Sequence, residues 1–177
     1  KTDRLRRFTV TIKPWRETGE HVVLATQSEA YYRDRLGTSR DIWTETVVNE
    51  IHRISGREVV ICHKPEAKTS GNAAVHPDFE QALVGAWAMV VHSSSAAVKA
   101  MIEGIPVIAL GDSMVGTLGH RDLSGLLNPL LPPDRERWLR VLSYNQWTFP
   151  EMMAGVAWRH MQDQAALGRD PRPTLVL

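Results

Sequence analysis

The sequence predicts an α/β protein: a Rossmann-like, mainly parallel sheet of four to five strands with flanking helices and a C-terminal helical pair. Three observations carry this prediction. Short apolar runs rich in β-branched residues recur along the chain, and their near-continuous apolarity suits central strands covered on both faces. Stretches with helical spacing lie between those runs, which is the alternation of an α/β domain with crossover connections. The composition, 43% hydrophobic and 23% charged in 177 residues, is that of one globular domain with a sizeable core.

In chain order, residues 7–12 (RFTVTI) alternate and predict an edge strand. Buried strands are expected at 21–25 (HVVLA), 58–62 (EVVIC), 88–92 (AMVVH) and 105–110 (IPVIAL). Between the first two, Asp41 is placed to cap an amphipathic helix in which Ile42, Val47, Ile51 and Ile54 recur, ending at Ser55-Gly56. A shorter helix is expected over 78–86, capped by Asp78, and another over 95–103, stopped by Gly104 with Pro106 beyond. The polar, glycine-rich stretch 111–125 predicts a long loop rather than a core element. Asp134 then caps a helix carrying Trp138, Leu139, Val141 and Leu142, and Pro150 starts another carrying Met153, Val156, Ala157 and Met161. Trp138, Trp147 and Trp158 are expected to pack these helices onto the sheet. Residues 1–167 thus predict a single domain and 168–177 an extended tail.

Charge and cysteine usage exclude several classes. Lys plus Arg total 21 against 20 for Asp plus Glu, so a net charge of +1 gives no electrostatic case for wholesale nucleic-acid or anionic-membrane binding. The one cysteine, Cys62, lies in an apolar run; no internal disulfide is possible, and a buried structural thiol is expected. No apolar stretch approaches the roughly 18 to 20 residues of a membrane-spanning helix, so the expected location is cytoplasmic. Zinc-protease, P-loop and serine-hydrolase signatures are missing, and neither a metal nor a bound cofactor is expected.

The stretch 88–110 (AMVVHSSSAAVKAMIEGIPVIAL) holds the most chemistry. A buried strand ends in His92-Ser93-Ser94-Ser95, and a helix begins at once from Ala96 and Ala97. A helix start carries unpaired N–H groups and about half a positive charge, and the serine hydroxyls add donors there, which suits a phosphate. The plainer account of the same serines is N-capping. At the first strand's end Gln27 and Ser28 would line the same crevice, since open α/β sheets bind ligands beyond the carboxyl ends of their strands. At the second strand's end, His63 and Lys64 offer polar groups, Lys64 a cation for a diphosphate. Ser94 with His120 and Asp122 is a weaker candidate for a nucleophilic triad.

On the serine turn and Gly104-Ile105-Pro106, the segment resembles the C-terminal, nucleotide-sugar-binding lobe of GT-B glycosyltransferases. His63-Lys64-Pro65 with the later serines is similar to bacterial sialyltransferases and capsule-type Kdo transferases, with Lys64 standing where that family has His. The resemblance implies that Ser93, Ser94 and Ser95 hold the phosphates of a nucleotide-sugar substrate, without metal. Lys99 occupies the place of the family's ribose-binding Glu, leaving Glu103 as a ribose ligand or as the ion-pair partner of Lys99. Tyr144-Asn145-Gln146-Trp147-Thr148 and the segment 155–158 (GVAW) are also similar to small proteins of phages and bacteria.

The expected function is therefore transfer of a sugar from a nucleotide-sugar to an unknown acceptor. The alternative is a non-catalytic nucleotide- or phosphate-binding module, phage-encoded in origin. A GT-B enzyme has two lobes and this length supplies one, so the catalytic base is expected from an N-terminal lobe preceding Lys1, from a second subunit of a homo-oligomer, or from a residue without a sequence signature.

Overall fold

A computed structural model describes residues 4–8, 10–64 and 79–168. In chain order the elements are α1 (Arg4–Arg7), β1 (His21–Ala25), α2 (Glu29–Leu36), α3 (Arg40–Ser55), β2 (Glu58–Cys62), α4 (Phe79–Ala82), β3 (Ala86–Val91), α5 (Ala96–Ile102) and β4 (Val107–Ala109), followed by two 3-10 turns (Gly116–Leu118 and Leu123–Leu126), α6 (Arg135–Tyr144), α7 (Phe149–Met153) and α8 (Val156–Ala166). They form two compact units: Thr11–Pro132, and Lys1–Val10 with Pro133–Leu177.

The first unit is the α/β body. Its sheet is four-stranded, all parallel, in the order β2-β1-β3-β4. Val22, Val23, Leu24, Met89, Val90 and Val91 are fully buried, as central strands covered on both faces must be. Val22, Leu24, Ala88, Val90 and Ile108 form one core face with Val47 and Ile51 of α3 and Leu123 and Leu126; α5 packs against β3 and β4 through Ala97, Ala100 and Met101, all buried. The β1–β3 register slips by one residue between His21 and Val22: His21 pairs with Ala86 but Val22 with Ala88, leaving Trp87 as the extra residue of a bulge. The connection out of β1 leads to one side and that out of β3 to the other, so the sheet has its topological switch point between these two strands.

Caps and local bonding explain where the elements depart from expectation. α3 is capped by Ser39 rather than Asp41: the Ser39 hydroxyl accepts from the Ile42 N–H at 3.2 Å, and Ile42 consequently faces solvent. Among the described residues of 7–12 the expected edge strand is not found. Residues 4–7 are helical, and the chain after Thr11 straps the end of α5, with the Lys13 N–H donating to the Ile102 carbonyl at 2.9 Å and the Arg16 N–H to the Gly104 carbonyl at 2.8 Å. Gly104 sits at φ 76°, where a Cβ would run into the Pro14 carbonyl oxygen.

The helix expected over 78–86 is the single turn α4, because β3 starts two residues earlier than the apolar run suggested; Asp78 lies outside the described residues. β4 is shorter than its run, only Val107–Ala109. Residues 111–125 are not a polar loop throughout. Val115, Leu118 and Leu123 are buried there, and His120 forms a lone bridge to Ile108. Cys62 is buried, and burial pushes its thiol above the usual range.

In the second unit, α1 packs on α6, with Leu5, Trp138 and Leu139 buried. Arg4 clasps Glu151 with two parallel bonds of 2.8 and 2.9 Å, donates to the Ser143 carbonyl at 3.0 Å, and stacks 4.6 Å from the centre of the Trp147 ring. The helix expected from Pro150 onward is two helices. Thr148 and Glu151 make a capping box that starts α7, and Gly155, at φ 68°, separates it from α8. Trp158 is 61% exposed and packs nothing inward, contrary to expectation. Among the described residues no helix is long and apolar enough to cross a membrane.

Candidate functional site

The switch point gathers the polar side chains that the strand ends deliver. β1 runs out into Thr26, Gln27 and Ser28; β3 runs out into His92, Ser93, Ser94 and Ser95. Ser28 precedes α2, and the Ser28 carbonyl accepts from the Tyr31 N–H at 3.0 Å, closing the first turn and bringing Tyr31 back to the strand ends. Four side chains then link in a row. The Ser93 hydroxyl donates to the Tyr31 oxygen at 2.7 Å, the Tyr31 hydroxyl lies 2.9 Å from Nδ1 of His92, and Nε2 of Gln27 reaches Ser93 Oγ at a long 3.5 Å.

Hydrogen-bond bookkeeping orients this row. A phenol oxygen that accepts from Ser93 has its own proton to place, and the acceptor within reach is Nδ1 of His92. In this direction of the row the neutral imidazole carries its proton on Nε2. Burial pushes the His92 pKa below its ordinary value, against a smaller upward pull from the Asp112 charge, so the neutral form prevails near pH 7.

Aromatic rings fix the histidine. Tyr31 and Trp43 lie 5.7 and 6.1 Å from its ring centre, both edge-on, and Tyr32 packs against each of them at 5.7 and 4.9 Å. Tyr32 is fully buried and accepts from the Gln27 N–H at 3.2 Å; burial pushes its phenol up to about 12. Gly111 forms the floor: a Cβ there would penetrate the imidazole, so only glycine admits His92 in this position.

The other candidates sit around this row. Thr26, buried, is hydrogen-bonded to Nδ1 of His63 at 2.9 Å, tying the ends of β1 and β2 together. Lys64 is exposed just beyond, and Pro65 lies outside the described residues. The serines divide their work: Ser93 joins the row, Ser94 accepts from the Ala96 N–H at 3.2 Å as a local cap, and Ser95 is exposed, already in helical conformation, and makes no capping bond. Capping thus accounts for Ser94 and not for Ser93. Lys99 pairs with Glu80 at 3.2 Å and with Glu103 at 3.3 Å, and Glu103 also binds Lys13, which together hold the Glu103 carboxyl below its usual range. His120 is hydrogen-bonded to the Asn128 carbonyl at 3.0 Å and Asp122 caps its own turn through the Ser124 N–H at 3.0 Å, so both are engaged away from Ser94.

Comparison with protein-family models, with curated proteins and with solved structures found no match. The site is defined by its own geometry. Sequence reasoning missed Tyr31, Tyr32 and Trp43. The signal that marks the first two is a helix start and a helix stop, Ser28 and, at φ 65°, Gly37, which bracket the eight residues of α2.

Proposed function

We propose that the chain binds the phosphate-bearing end of a nucleotide at the β1/β3 switch point and, as the donor half of a GT-B-like glycosyltransferase, presents a nucleotide-sugar for metal-independent transfer to an acceptor. The observation that carries this reading is the convergence of Gln27, Tyr31, His92 and Ser93, all half-buried and reachable from solvent, at the one place where an open parallel sheet leaves room for a ligand beyond its strands. Ser93 supplies a hydroxyl and Gln27 an amide to phosphate oxygens, and Lys64 at the neighbouring strand end supplies a cation. Rate enhancement then comes from holding donor and acceptor together and neutralising the departing phosphate. The resemblance of the serine turn and Gly104-Ile105-Pro106 to the donor lobe supports a sugar nucleotide over a simple phosphate.

One observation favours the second reading, a binding module without turnover. Among the described residues the row at the switch point contains no carboxylate, and His92 is its one group that exchanges a proton near neutral pH. A single experiment tests both. UDP, GDP, ADP, CMP and their sugar conjugates are titrated against wild type and Ser93→Ala by thermal shift, where stabilisation follows ligand concentration over Kd. Binding lost in Ser93→Ala supports the site, and release of free nucleotide from the bound conjugate in the presence of acceptor sugars separates transferase from module. A folded wild type that binds none of the panel refutes both.

A further inference from the structure

The row at the switch point can run in two directions, and the direction decides what Ser93 offers a ligand. With His92 neutral and its proton on Nε2, the protons point inward along the row, Ser93 to Tyr31 to Nδ1 of His92, and the Ser93 hydroxyl has no proton to give to a guest. Protonating His92 places a hydrogen on Nδ1. The Tyr31 oxygen must then accept it, turn its own proton back to Ser93 Oγ, and force the Ser93 proton outward to the open side of the strand ends. One N–H bond forms, at Nδ1 of His92 with a proton taken from solvent, and two hydroxyls rotate; no other covalent bond changes.

We infer that this row couples ligand binding to protonation: a phosphate-type anion accepting from Ser93 is taken up together with one proton on His92, relayed through Tyr31. This rests on the proposed nucleotide site and specifies its ligand as an acceptor-rich anion rather than a neutral sugar. The groups facing His92 agree with such a step. From α2 comes Tyr31, from α3 the uncharged Trp43, and from the segment after β4 the backbone of Gly111 with Asp112, an exposed carboxylate that lies 3.8 Å from Arg121 and attracts the added charge. Burial, which opposes the cation in the free protein, makes the anionic guest the natural counter-charge. Tyr31 is thus a positioning residue that transmits the proton's effect.

The sign follows from linkage. The anion binds the protonated form, so binding raises the His92 pKa; affinity is full below the free-state value and is lost as pH rises through the bound-state value, by about tenfold per pH unit between the two. Calorimetry of UDP and of inorganic pyrophosphate, between about pH 5.5 and 8.5 in two buffers of different ionisation enthalpy, counts the protons directly. The expected result is uptake of about one proton per ligand above the free-state pKa, abolished with its pH slope in Tyr31→Phe, which keeps the ring and removes the relay. Nitrogen-15 chemical shifts of the ligand-free protein at neutral pH are expected to show the Nε2–H tautomer of His92. Binding without proton uptake, a pH slope unchanged in Tyr31→Phe, or an Nδ1–H tautomer overturns the coupling and leaves the nucleotide site standing. Failure of both probes to bind at any pH overturns the site as well.

Discussion

The two edges of the sheet use hydrogen bonds in opposite ways. At the amino edge side-chain donors end on backbone carbonyls: Arg57 on Gly19, Arg16 on Leu83, and Trp87 on Leu126 at 2.9 Å, while His21 lies 2.9 Å from the Ala82 carbonyl and Arg57 covers the Trp87 ring at 4.4 Å. A carbonyl accepts and never donates, so these bonds have one direction and act as fixed ties. At the carboxyl edge, side chains bond to side chains, and the hydroxyls of Ser93 and Tyr31 both give and take. Chemistry needs a network that can rearrange at little cost, and stability needs one that cannot.

That contrast can be broken first at the amino side. Gly104→Ala combines positive φ with collision against the Pro14 carbonyl, and should cost about 3 kcal/mol or more by chemical denaturation, lowering ligand affinity only in proportion to unfolded protein. Arg57→Ala removes a carbonyl tie and a cation–π contact, an expected loss of about 1 to 3 kcal/mol with nucleotide affinity unchanged. A larger effect on affinity than on stability would mean that the two edges are not separate.

Opposite outcomes are expected at the carboxyl edge. Ser93→Ala should move stability by about 1 kcal/mol or less while costing at least about tenfold in nucleotide affinity, measured by melting and calorimetry on one sample. Gly111→Ala, which displaces the imidazole, should abolish binding in a protein that still melts cooperatively.

The second unit offers an electrostatic control. Glu151 is held down to about 2 by the Arg4 guanidinium, with help from the Thr148 N–H. A depressed carboxylate stabilises above its ordinary range and loses that contribution as pH falls toward the folded value. Melting of wild type should therefore weaken progressively between about pH 4.5 and 2, and Glu151→Gln should flatten that limb without touching ligand binding.

Legibility followed the same division. The strands and α3 were readable because burial on both faces or on one stripe imposes an apolar pattern. α2 was not, since EAYYRDRL carries no stripe and only Ser28 and Gly37 announce it; Tyr31 was hidden with it. The residues at 7–12 alternate like a strand, yet Arg7 belongs to α1 and the chain just beyond, at Lys13 and Arg16, bonds to the end of a helix; pattern alone names no partner. Gln27, His92 and Ser93 were visible as polar residues at strand ends, whereas their linkage through a phenol depends on how a helix turns back over the sheet.

The bulge at Trp87 has an effect far from where it lies. Counting on from the Ala25–Val91 pair places Thr26 beside His92 and Gln27 beside Ser93, in keeping with the bond between the latter two. Without the extra residue, the same count would set Gln27 beside His92 and move each β3 side chain to the opposite face. A one-residue insertion at the closed end of the sheet therefore acts as a frameshift for its open end, choosing which letters of the chain meet where the ligand is proposed to bind.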